Sequence, residues 1–162
     1  MKLESLDGRF VELAISAYQF GGGRSTSEGR DWDANWLMIR GRVWDGHASW
    51  VFHDPCMTTW EARELSSWLR GLADSNAATV KTAGPDELRR WLTEPNLTFE
   101  LTGSDHGIIS LVVHFDAESR PPGGSSDGGQ GLGHEVRLEL SAADLARAVD
   151  DWDRELVRFP ER

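Results

Sequence analysis

Apolar and polar residues alternate along six stretches of the chain, and that two-residue period predicts β-strands. In residues 10–18, Val11, Leu13, Ile15 and Ala17 share one face. Residues 35–44 put Leu37, Ile39 and Val43 on one face and Trp36, Met38 and Trp44 on the other, and residues 48–53 bring Trp50 and Phe52 together. Later, Leu97, Phe99 and Leu101 alternate with polar neighbours, and Ile109, Leu111, Val113 and Phe115 make a long apolar face. Val136, Leu138 and Leu140 alternate with Glu135, Arg137 and Glu139, the signature of a strand with one wet face in an antiparallel sheet.

The period changes to that of a helix in two places. Thr58-Thr59-Trp60-Glu61 reads as a capping box, in which the Thr58 and Glu61 side chains satisfy each other's free backbone amides. Leu65, Trp68, Leu69 and Leu72 follow at helical spacing. Ser141-Ala142-Ala143-Asp144 opens the second helix, with Leu140 and Leu145 placed as a hydrophobic staple. Leu145, Ala148, Val149, Trp152 and Leu156 form its buried stripe, and Trp68 and Trp152 are both expected inside. A shorter helix is expected from Pro85, packing Leu88, Trp91 and Leu92.

The order is therefore βββα, a short helix, then βββα. This is an α+β pattern: a mainly antiparallel sheet of about six strands, with two amphipathic helices packed on a shared sheet. Residues 1–162 are read as one domain, because neither half has enough strands to cover both faces of a sheet. Pro121–Gly133 is too rich in Gly and Ser to pack and is expected to be an exposed hairpin connection; Gly21–Arg30 also breaks the pattern.

Composition narrows the function. The net charge is −10. Nucleic-acid binders draw their affinity from Lys and Arg on phosphates, so direct nucleic-acid binding is not expected. The charge suits a basic partner, and residues 116–162 are the most acidic third, with 11 acids against 6 bases. Eight tryptophans are many for 162 residues. Trp packs cores and also anchors interfaces, and most are assigned here to the core. Cys56 is the sole cysteine, which excludes an intrachain disulfide and fits a reducing compartment. The first residues lack the basic-then-apolar pattern of a signal peptide, and no apolar run has the length of a membrane span. A cytoplasmic protein is expected, and Asn96-Leu97-Thr98 is read as a coincidental glycosylation sequon.

The candidate chemistry is thin. His53-Asp54-Pro55-Cys56 holds an imidazole, a carboxylate and a thiol, but a strand-end Asp-Pro turn with a small buried Cys explains it better. His106, His114 and Asp116 are the metal candidates, and His114 and Asp116 share one face of a strand, but no third ligand sits at a recognisable spacing. The Gly-rich run 129–133 does not match a phosphate-binding fingerprint. Neither a catalytic residue nor a cofactor or metal is expected.

Several blocks of the chain carry a resemblance. DANWLMIRGR (Asp33–Arg42), SWVFHDPCMTTWEARELSSWL (Ser49–Leu69), EPNLTFEL (Glu94–Leu101), HFDAESRPP (His114–Pro122) and RFPER (Arg158–Arg162) resemble, in order, the WapI family of bacterial immunity proteins. Gly123 and a Gly/Ser run stand where the family pattern has a bulky residue after the double proline. The resemblance implies a partner, the toxic C-terminal domain of a WapA-type polymorphic toxin, whose founding member looks like a tRNA-cleaving nuclease. It implies neutralisation by binding in the producer's cytoplasm, and no catalytic residue.

The residues themselves suggest where a basic partner would sit. On the last helix, Asp150, Asp151 and Asp153 turn away from the apolar stripe, and the strand before it presents Glu135 and Glu139 on its outer face. These five acids are the expected toxin-binding surface. A solvated helix face, compensated in part by Arg147 and Arg154, is the competing reading.

Overall fold

The computed structural model describes residues 1–21, 31–74, 84–123 and 133–162. Most of the two segments expected to be loops, residues 22–30 and 124–132, lies outside the described residues.

Among the described residues, eight strands form two four-stranded antiparallel sheets, each in sequential order. The first contains β1 (Lys2–Glu4), β2 (Phe10–Tyr18), β3 (Trp36–Trp44) and β4 (Ser49–Thr58), with a one-turn helix α1 (Trp32–Asn35) before β3. Helix α2 (Thr59–Asp74) follows. A short helix α3 (Pro85–Leu88) leads into the second sheet, β5 (Arg89–Trp91), β6 (Leu97–Asp105), β7 (Ile108–Phe115) and β8 (His134–Ser141). A 3₁₀ turn (Ala117–Ser119) follows β7, and helix α4 (Ala142–Leu156) follows β8.

The α+β class and the antiparallel pairing agree with the sequence, while the single six-stranded sheet does not. Alternation identifies a buried face but not what covers it, and here the covering differs from the expectation. The two long helices pack chiefly on each other: Trp152, fully buried, donates its indole N–H to the Ala62 carbonyl at 3.0 Å. Trp68 is buried as well. The buried side chains of both sheets and both helices make one cluster.

Both helix starts follow the sequence signals. Glu61 Oε2 accepts from the Thr58 N–H at 2.8 Å, and Ser141 Oγ accepts from the Asp144 N–H at 3.1 Å. The short helix from Pro85 does not reach Trp91. The chain turns extended at Arg89, and Trp91 stands 63% exposed on β5.

β4 also runs further than its alternation suggests, through Pro55 to Thr58. Proline costs a sheet nothing on a strand edge that pairs with no neighbour, and β4 is the outer strand of its sheet. The register skips Cys56, which sits between the pairs Met38↔Pro55 and Leu37↔Met57 as a bulge. Facing β4, Gly41 leaves room for Phe52: a Cβ there would lie 2.0 Å from the ring.

Candidate partner-binding surface

The phase of α4 is set by its cap and its apolar stripe. Leu145, Ala148, Val149, Trp152 and Leu156 are buried, which turns Asp150 and Asp151 outward and leaves Asp153 on the flank facing α2. From α2, Arg70 reaches across and donates 2.7 Å bonds to both Asp150 and Asp153. Bonds to these two carboxylates raise the Arg70 pKa further. Ser66 Oγ also donates to Asp153, and Asp151 pairs with Arg154. Exposed pairs of this kind add little to stability, so a partner's Lys or Arg can displace them at little cost.

On β8, Glu135 and Glu139 point away from the face that carries Val136, Leu138 and Leu140 into the core. Glu135 belongs to a charged row crossing the second sheet. Arg89 bonds Glu100, Glu100 meets His114 Nε2 at 3.0 Å, His114 Nδ1 lies 3.5 Å from Glu135, and Arg137 donates to Glu135 at 2.8 Å. Burial pushes the Glu100 carboxyl up, but the bonds from Arg89 and His114 outweigh it and hold the group below its ordinary range.

Glu139 stands elsewhere, where the edges of the two sheets meet. Its N–H donates to Ser5 Oγ and its carbonyl accepts from the Leu6 N–H, both at 2.9 Å. On the other side of Ser5 and Leu6, a shallow hollow is lined by Lys2, Glu4, Asp144, Arg147 and Asp151. The five acids therefore do not form one patch. Asp150 and Asp153 border α2, Asp151 lines the hollow with Leu6, Glu139 meets Leu6 through its backbone carbonyl, and Glu135 sits in the row on the outer sheet face.

Leu6 is an exposed apolar residue at this corner that the sequence did not single out. It is 64% exposed and lines the hollow together with Glu4, Asp144 and Asp151 and the bases Lys2 and Arg147. A lone apolar residue in the turn of MKLESLDGR carries no periodicity, so nothing in the sequence marked it.

The groups with reactive potential are placed differently. Cys56 is fully buried, and burial pushes its thiol up to about 12. Its sulfur donates to the Asp54 carbonyl and accepts from Asn96, while His53 is exposed and bonds Ser16 Oγ at 2.8 Å. His106 is exposed beside Asp105, and Asp116 pairs with Arg120. Among the described residues no group of three or more His, Cys, Asp or Glu is arranged to hold a metal ion.

The sequence blocks that carry the resemblance meet at two joints. At the first, Asn96 donates to Cys56 Sγ at 3.3 Å, and its backbone carbonyl accepts from Asp116 N–H and Ser119 Oγ. Trp50 closes the joint, donating to the Ser119 carbonyl at 2.9 Å and meeting the Phe115 ring edge-on at 5.3 Å. At the second, buried Asn35 accepts from Thr59 Oγ1 and the Arg162 N–H and donates to the Arg162 and Asp31 carbonyls. Arg162 also covers the Tyr18 ring at 3.4 Å.

What these elements define is an acidic α+β protein whose motifs build joints and whose exposed chemistry is charge with scattered apolar contact. The chain belongs to the immunity protein WapI-like family, whose model matches residues 2–160. No curated protein and no solved structure matches the chain. Among the described residues no helix is long and apolar enough to cross a membrane.

Proposed function

We propose that the protein is the immunity partner of a secreted polymorphic toxin: it binds the toxin's C-terminal domain and neutralises it in the cytoplasm of the producing cell. The family membership over residues 2–160 carries this reading. The toxin domain it fits is basic and of nuclease type, such as a tRNA-cleaving enzyme. A nuclease must gather phosphates with Lys and Arg, and an acidic protein competes for that surface and is drawn to it by charge. The net charge of −10 and the acids around Leu6 and along α4 support the match.

The test is co-expression with the toxin domain encoded beside this gene. Copurification of a stoichiometric complex, together with restored growth of the host, is expected. A toxin that kills despite co-expression and does not copurify would sink the proposal in favour of an unrelated acidic interaction domain.

A further inference from the structure

A second surface has the opposite chemistry. Between α2 and β5 runs an open groove of about 820 Å³, lined on the helix side by Arg63, Glu64 and Ser67 and on the strand side by Arg89 and Trp91. Trp91 is 63% exposed, with the Arg89 guanidinium 4.9 Å from its ring centre. Arg63 donates only to backbone carbonyls, those of Thr59 and Phe159, and no described carboxylate pairs with it. Two turns further along α2, by contrast, Arg70 is held by two aspartates.

Among the described residues Arg63 is thus a guanidinium without a carboxylate partner, in a chain of net charge −10. Arg63 and Ser67, four residues apart on a helix, span about 6 Å, and Arg89 to Trp91 on a strand span about 6–7 Å. The two walls therefore match in length, and each is the height of a two- or three-residue segment. Trp and Arg are the side chains over-represented at binding hot spots, and a guanidinium recognises a carboxylate through two parallel hydrogen bonds. Glu64 on the rim and Glu100 behind Arg89 oppose a dense polyanion, which disfavours nucleic acid, but they tolerate a single carboxylate placed at Arg63.

We infer that the α2–β5 groove is a docking site for an extended acidic segment of a protein partner. A carboxylate binds Arg63, and a neighbouring apolar or aromatic side chain stacks on Trp91. This does not depend on the toxin reading: the groove takes an acidic ligand whereas the α4–Leu6 surface takes a basic one.

The probe is a fluorescein-labelled peptide alternating Glu and Val around a central Phe, titrated with the whole protein and read by anisotropy. Its controls are the same peptide with Lys for Glu and a single-stranded oligothymidylate of equal charge. The acidic peptide is expected to bind, more weakly as salt rises, and to lose about tenfold in affinity in Trp91→Ala and in Arg63→Gln. Trp91 is exposed, so Trp91→Ala keeps the fold and decides the matter should Arg63→Gln loosen the bond to Phe159. Absence of binding, equal binding of the Lys peptide, or unchanged affinity in Trp91→Ala overturns the inference. Tighter binding of the oligothymidylate, lost in the same variants, would overturn it too and make the groove a phosphate site.

Discussion

The side-chain amide of Asn96 donates to the sulfur of Cys56 across 3.3 Å, and both residues are at most 1% exposed. This bond ties the bulge of β4 to the entry of β6, and so joins the first sheet to the second. Burial, and not this bond, explains why a lone cysteine beside a histidine has no reactive geometry: it keeps the group a thiol, with a pKa of about 12, although the Asn96 amide pulls the other way.

Cys56 in the native protein is therefore expected to resist a disulfide reagent at pH 8 and to react fully only in denaturant. Cys56→Ala leaves the Asn96 amide buried without this acceptor, at a cost of about 1–3 kcal/mol in a urea melt. Rapid labelling of the folded protein would show that the joint opens.

Gly41→Ala is expected to destabilise more than its single methyl suggests. The added Cβ would sit 2.0 Å from the Phe52 ring, which must rotate out of a packed core. Overpacking of this kind costs about 1–3 kcal/mol. The double variant Gly41→Ala, Phe52→Leu should recover part of the loss, and no recovery would point to backbone strain instead.

Asp7 provides a pH-dependent contribution. The Arg9 guanidinium bonds its carboxylate and lowers its pKa to about 2. A depressed carboxyl stabilises the fold above its unfolded pKa, near 4, and loses that contribution as the pH falls toward 2. The wild type should thus melt above Asp7→Asn at pH 6, with the gap closing between about pH 4 and pH 2. A constant gap across that range would mean that Asp7 acts through its backbone bonds alone.

At the proposed toxin surface, Asp150→Lys with Asp151→Lys should slow association with the toxin domain by about tenfold at low salt and flatten its salt dependence. Asp150 trades away only an exposed bond to Arg70, so the thermal melt should stay nearly unchanged. Leu6→Asp should act on dissociation instead, because it removes an apolar contact and not a steering charge. Wild-type kinetics in both variants would exclude the α4–Leu6 corner.

Asn35→Ala removes four hydrogen bonds that hold Arg162, Asp31 and Thr59 together. The closing residues 158–162 should then become sensitive to carboxypeptidase, with a loss of about 2–3 kcal/mol in stability. Undiminished protection of the tail would show that Arg162 on the Tyr18 ring suffices.

By itself the sequence determined what lies within a few residues' reach. The Thr58–Glu61 and Ser141–Asp144 caps, the stripe from Leu145 to Leu156 and six of the strands were legible, because capping and solvent partition act over spacings of two to four residues. Elements too short to show a period were not legible: β1 and β5 have three residues each, and their pairing comes from a neighbour. Pro55 looked like the end of a strand because only the sheet order reveals that β4 is an edge. Tertiary structure alone decided that the strands divide into two sheets, that the helices cover each other, and that Leu6 and Glu139 share a corner. Ser5 and Glu139 are bonded across 134 positions. Such a contact depends on how the two apolar faces close against each other, and no local pattern of polar and apolar residues records it.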